Sequence, residues 1–221
     1  MIVLRLVYLF MPVGILLAFL YAHAERLMGE ASRMLYFHVP LAWVSVLAFL
    51  IAGVASVMHL VRGDDSRNLD IKAYNSASLG FLFVVLATAA GSLWSRMAWN
   101  AFWNWDPRQS SIIILLLIYV AYFSLWNALE NNPNRGRITS VYLIFAMVSM
   151  PFFVFIIPRV FLSLHPDTLI NPRGTVLLGD RMKVTLMICL ISFTLLYFDL
   201  FFMKNRISRM EQRLEESLDN E

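Results

Sequence analysis

Four of the six tryptophans fall within residues 94–105, as Trp94, Trp99, Trp103 and Trp105. Indole rings offer wide, rigid contact area and offset stacking at small entropic cost, so a cluster of them suits a large planar apolar ligand. A helix over residues 99–103 would set Trp99, Phe102, Trp103 and Asp106 on one face at spacings of three and four, as a flat aromatic platform. Asp106-Pro107-Arg108-Gln109 then reads as a helix start, with an N-cap carboxylate, a proline at the first helical position and a glutamine able to close a capping box. Capping and a functional role for Asp106 are compatible. Arg108 reaches phospholipid headgroups by snorkelling, or clamps a ligand carboxylate through a bidentate pair. His38 and His165 each lie close to a proline, Pro40 and Pro166. Neutral imidazole is a standard axial ligand of heme iron, and equally a plain hydrogen-bonding group between membrane helices.

The elements that must position these residues are apolar helices. Of the 221 residues 59% are hydrophobic and 15% charged, against roughly 45–50% and 25% in soluble domains. Residues 6–24, 34–61, 73–95, 109–129, 138–158 and 184–198 carry no Asp, Glu, Lys or Arg. Each but the last reaches the ~20 residues that span a hydrocarbon layer, and the last does so if it runs on to Met203, which sets Asp199 near its end. The expected fold is an all-α integral membrane protein of six transmembrane helices over residues 1–203, with a tryptophan-rich outer loop at 94–108 and a charged tail at 204–221. Ile207, Met210, Leu214 and Leu218 recur in that tail at helical spacing, as an amphipathic extension of the sixth helix or a docking surface for a cytoplasmic partner. Ala22-His23-Ala24 has the form of a signal-peptidase site, yet the first apolar run is longer than a signal peptide needs, so a retained helix is expected.

With both termini in the cytoplasm, ten Lys and Arg lie inside and eight outside, a weak positive-inside bias. The eight outside are Arg26, Arg33, Arg96, Arg108, Arg159, Arg173, Arg181 and Lys183, a number that fits an anionic ligand held on that face. The net charge of +3 is scattered over all the loops with no basic stripe, which excludes nucleic-acid binding. Cys189 is the only cysteine, so there is no C-x-x-C-H and the chain is not itself a c-type cytochrome. In this topology His38, His165, the tryptophans and several arginines meet on one face of the membrane. Axial ligands, a flanking aromatic surface and guanidinium groups for propionates are the three chemical needs of heme. His59 stands alone at the other face, so the two-layer bis-histidine pattern of an electron-carrying cytochrome b is not available.

Trp99-Asn100-Ala101-Phe102-Trp103-Asn104-Trp105-Asp106-Pro107-Arg108 resembles the W-G-x-x-W-x-W-D-x-R signature of the heme-handling proteins of cytochrome c biogenesis. Residues 33–43, with His38, and Ser163-Leu164-His165-Pro166 are similar to the two histidine segments of the cytochrome c maturation protein C family, also called heme exporter protein C. Asn100 stands where the signature has glycine, and Phe102 where some members have tryptophan. The resemblance implies that His38 and His165 ligate heme from opposite sides and that Trp99, Trp103, Trp105 and Asp106 shape its platform. Arg33 and Arg108 become the candidates for its propionates. It further implies non-covalent heme b at the periplasmic face of a bacterial inner membrane, an ABC-type transporter and a small membrane partner, and delivery to a periplasmic heme chaperone. Any covalent chemistry then belongs to heme and its acceptor, so the chain is expected to be a transfer component and not an enzyme.

A cytochrome c synthase core is the nearest alternative, and the lack of a further histidine pair deeper in the membrane speaks against it. A small-solute transporter would show inverted repeats or midplane charges, of which only Asp199 and the proline kinks are a trace. A scaffold anchored by its tryptophans is the third alternative.

Overall fold

The computed structural model describes residues 2–25, 28–63, 68–165 and 178–218, with side chains from Leu6 onward. Arg26, Pro166 and Arg173, invoked above, lie outside the described residues. Among the described residues the chain is helical and has no strand. In order come α1 (Ile2–Leu16), α2 (Leu35–Arg62), α3 (Leu69–Trp99), α4 (Pro107–Ala128), α5 (Arg135–Pro151), the single-turn α6 (Ile157–Val160) and α7 (Asp180–Leu218). Among the described residues, five helical stretches are long and apolar enough to cross a membrane: Glu30–Arg62, Leu69–Trp99, Pro107–Ala128, Arg135–Val160 and Asp180–Leu218. Leu6–Tyr21 is a shorter apolar helix. An apolar segment in lipid satisfies its backbone only by bonding to itself, so each charge-free run becomes a helix.

Prolines mark the break that follows α5. A π-helical turn, Phe152–Ile156, follows Pro151, and α6 ends two residues after Pro158. Proline removes a backbone donor, and the neighbouring carbonyls are re-satisfied by a wider turn. This bend delivers the chain into residues 161–165, the segment that carries His165. Pro40 does not open α2 as its position predicts: a 3₁₀ turn over Glu30–Met34 leads directly into α2 at Leu35. Pro40 is the sixth residue of α2, past the first turn, so its missing N–H leaves the Tyr36 carbonyl without its intrahelical donor, while the Tyr36 side chain itself is buried.

Helices α2 and α3 pack along most of their length through small residues, Ala48, Ala52 and Ser56 facing Ala73, Ser76 and Ala77. Small side chains let two backbones approach where lipid offers no hydrophobic drive between helices. Phe49 of α2 stacks on Tyr119 of α4, with ring centres 3.7 Å apart. Buried polar groups join the remaining helices: Ser76 Oγ donates to Ala48 O at 2.7 Å and lies 2.7 Å from the Tyr197 hydroxyl, and Asn75 Nδ2 donates to Asn205 Oδ1 at 3.0 Å. That last bond ties α7 to α3 beyond residue 203, and α7 runs unbroken to Leu218. Ile207, Met210, Leu214 and Leu218 remain exposed on it.

Candidate functional site

One end of the bundle holds an open-sided cavity of about 200 Å³. That is below the ~300–1,000 Å³ typical of small-molecule sites, so a macrocycle held here would extend out through the open side. Helix α2 contributes His38, Ala42, Ser45 and Val46, and α3 contributes Val84, Ala87, Thr88 and Gly91. Both sets recur at spacings of three and four, the signature of one helix face. Arg108, Ser111, Ile112 and Leu115 of α4 form the third wall. Leu115 and Val84 also belong to the hydrophobic core, so the cavity floor is continuous with it.

Helix α3 continues through the first part of the tryptophan segment and stops at Trp99, so Trp94 and Trp99 are helical. Asn100 caps it in the left-handed conformation, with φ of 58°. Asparagine is the commonest substitute for glycine there, which accounts for the departure from the signature. Residues 100–106 are not helical, contrary to the expectation for 99–103. Side chains impose a different path: Ser95 Oγ donates to Ala101 O at 2.7 Å, Ser92 Oγ to Phe102 O at 3.0 Å and Asn104 Nδ2 to Ser95 Oγ at 3.1 Å. The single-face platform therefore does not form. Trp94, Trp99, Trp103 and Asp106 line the cavity, whereas Phe102 and Trp105 face outward, with Trp105 74% exposed. Trp105 also has a positive φ of 56°, a costly conformation for a bulky residue that local contacts must enforce.

Asp106 does two jobs. As N-cap of α4 it accepts a hydrogen bond from Arg108 N at 2.9 Å. It also accepts from Ser163 Oγ, 3.0 Å from each carboxylate oxygen, and from Leu164 N at 2.7 Å. Ser163 Oγ in turn accepts from His165 N at 3.1 Å. The buried carboxylate thus clasps the loop that presents His165. The capping box does not close, because Gln109 Oε1 accepts from Asn104 N, at 2.8 Å.

His38 sits one turn into α2 and donates from Nδ1 to Ala87 O at 2.9 Å. That bond fixes the tautomer and leaves Nε2 with a free lone pair, as in metal-ligating histidines. Gly91 makes the approach possible: a Cβ there would lie 2.8 Å from His38 Cε1. The His165 ring rests 5.5 Å from that of Trp94, and the two imidazole centres are 6.5 Å apart. His59 lies at the far end of α2, about 30 Å along the helix. Arg33 is not part of the cavity lining. It pairs with Glu30 at 2.5 Å and donates to Ala18 O at 2.5 Å, strapping the 3₁₀ turn to the end of the first helix. Gly91 belongs to the site without having been singled out, and Trp94 and Ser163, named only as part of the tryptophan cluster and of the segment around His165, prove to belong to it as well. Trp94 and Gly91 share the α3 face of Ala87 at helical spacing, but no local pattern shows that Ser163 meets Asp106.

Comparison with known proteins places this geometry in context. The family model for heme exporter protein C matches residues 1–219. The heme exporter protein C of Bradyrhizobium diazoefficiens is 30% identical over 187 residues, 84% of this chain and 70% of that protein. Those of Rhodobacter capsulatus and Escherichia coli K12 are each 31% identical, over 58% and 64% of this chain and 52% and 57% of their own lengths. The chain therefore spans between about half and 70% of the relatives it matches.

Proposed function

The chain belongs to the heme exporter protein C family, and from that premise we propose that it holds non-covalent heme b in the cavity, between His38 and His165, and delivers it for cytochrome c assembly. It is a multi-pass membrane protein with a role in heme handling for cytochrome c biogenesis. The single observation that carries the finer reading is the 6.5 Å between imidazole centres drawn from α2 and from a loop more than a hundred residues later. A metal–nitrogen bond of about 2 Å on each side, with the ~1 Å from nitrogen to ring centre, separates two axial imidazoles by about 6 Å. Trp94, Trp99 and Trp103 supply an aromatic wall for the macrocycle, and Arg108 a cation for a propionate. The open side of the cavity suits a cargo that must leave again.

In this reading the site faces the periplasm, both termini are cytoplasmic, and the acceptor is a periplasmic heme chaperone. An ABC-type transporter and a small membrane protein are the expected companions. Arg33, spent on Glu30 and two carbonyls, is not assigned a propionate. Purification from heme-replete membranes is expected to give a Soret band with the spectrum of low-spin, six-coordinate bis-imidazole heme. Absence of a Soret band, or a thiolate-type spectrum, overturns the proposal.

Gly91→Ala tests the orientation of the His38 ring. The added methyl displaces the imidazole and with it the bond to Ala87 O, and loss of such outer-shell support costs about 10–100-fold in metal affinity. Heme titration of the purified variant should show a drop in that range. Unchanged affinity would mean that the ring is not held by α3.

A further inference from the structure

We infer that the half of the bundle opposite the cavity contains an internal water-binding site among α2, α4 and α5, built from Tyr119, Tyr122 and Ser140 beside the Asp70–His59 pair. Asp70 of α3 and His59 of α2 close on the backbone of α5 together: a Cβ at Gly136 would lie 2.8 Å from Asp70 Oδ2 and 3.0 Å from His59 Nε2. Ionisable side chains within a membrane bundle pair with one another or border water, and they mark functional positions.

One turn deeper the interior stays polar. Ser140 follows Gly136 by four residues and precedes Met147, which packs on Gly53 of α2, by seven, so all three share the α5 face turned to α2. Tyr119 and Tyr122 lie on the buried face of α4. The Tyr119 ring stacks on Phe49 of α2, and the Tyr122 hydroxyl is within electrostatic range of Asp70, Arg135, Tyr74 and Tyr119. Arg135 Nε donates to Trp126 O and Tyr142 Oη to Ile118 O, both at 3.0 Å, a register that sets Ser140 level with the two tyrosines. Tyr119 and Tyr122 are fully buried, Ser140 is 1% exposed, and none of the three hydroxyls has a hydrogen-bond partner among the described residues. Their buried neighbours do: Ser56 Oγ donates to Ala52 O at 2.9 Å and Thr139 Oγ1 to Arg135 O at 2.8 Å.

Buried hydroxyls are almost always bonded, and three at one level supply the two to four polar partners that an internal water needs. The surroundings select water over a metal ion. Among the described residues no three His, Cys, Asp or Glu side chains gather, and Arg135 close by repels a cation. Water both donates and accepts, as each hydroxyl does. It also gives Asp70 and His59 a neighbour inside the bundle that can exchange protons with them.

X-ray radiolysis of the detergent-purified full chain in H₂¹⁸O, read by mass spectrometry, tests the site, because hydroxyl radicals formed from a bound water oxidise the side chains touching it. Tyr197 is the control, equally buried but with its hydroxyl 2.7 Å from Ser76 Oγ. Tyr119 and Tyr122 are expected to take up ¹⁸O several-fold faster than Tyr197. Tyr122→Phe and Ser140→Ala should each lower the melting temperature by about 2–4 °C, the worth of one net hydrogen bond in a chain of this size. The two together should melt little below either one, because the first substitution already releases the shared water. Labelling of Tyr119 and Tyr122 no faster than that of Tyr197 overturns the inference. So does a melting temperature at or above that of the native chain in both single variants, the result expected of hydroxyls buried dry.

Discussion

Alanine at position 38 is expected to remove the bis-imidazole heme spectrum and lower heme affinity by at least about 100-fold, since outer-shell groups alone command 10–100-fold. The two histidines should not behave alike. His38 is built into a helix, its ring half-buried and its Nδ1 anchored on Ala87 O, so it is preorganised before any ligand arrives. His165 sits on a loop, held by its backbone through Ser163 and braced against Trp94. His165→Ala should therefore retain heme as a weaker, five-coordinate complex on His38, and millimolar imidazole should restore the six-coordinate spectrum by filling the vacated side. His38→Ala should not be rescued as well, because exogenous imidazole there must also displace the packing of α2 against α3. A bis-imidazole spectrum that survives both substitutions would remove these residues from the iron.

The second large effect is expected at Asp106. Asp106→Ala strips the N-cap of α4 and orphans Leu164 N and the Ser163 hydroxyl in one step. A lost cap costs about 1 kcal/mol and a buried donor left unpaired about 1–3 kcal/mol, so a total near 3 kcal/mol is expected in thermal unfolding of the detergent-solubilised protein. The functional consequence is larger than a cap would explain, because the loop that presents His165 loses its tether. The spectrum should resemble that of His165→Ala. A double-mutant cycle distinguishes this from an independent role: if Asp106 acts through His165, Asp106→Ala adds little heme loss on top of His165→Ala. Fully additive losses would place Asp106 in direct service of the ligand. Asp106→Asn should fall between, since one amide oxygen still accepts while its NH₂ opposes the Leu164 N–H.

Much of the architecture is written locally. Hydrophobicity accumulates residue by residue along the chain, and a backbone with no water to bond becomes helix, so the charge-free runs mark the helices without reference to one another. The Asp106-Pro107 start of α4 and the bend after Pro151 are likewise local, because a cap or a missing N–H acts within one turn. The tryptophan segment shows where such reading ends. Spacing alone puts Trp99, Phe102 and Trp103 on one helical face, yet Ser92, Ser95 and Asn104 draw residues 100–106 into a coil that turns Trp103 inward and Phe102 outward.

The sequence by itself determined an all-helical membrane protein, the residue types able to ligate heme, and the family that uses them. Only the tertiary structure decided that His38 and His165 stand 6.5 Å apart, that Trp94 and Gly91 belong to the site, and that Arg33 does not. The physical reason is range. Helix formation depends on neighbours within four residues, whereas the contacts that assemble the cavity join Asp106 to Ser163 and His38 to Ala87, groups brought together only when the helices pack.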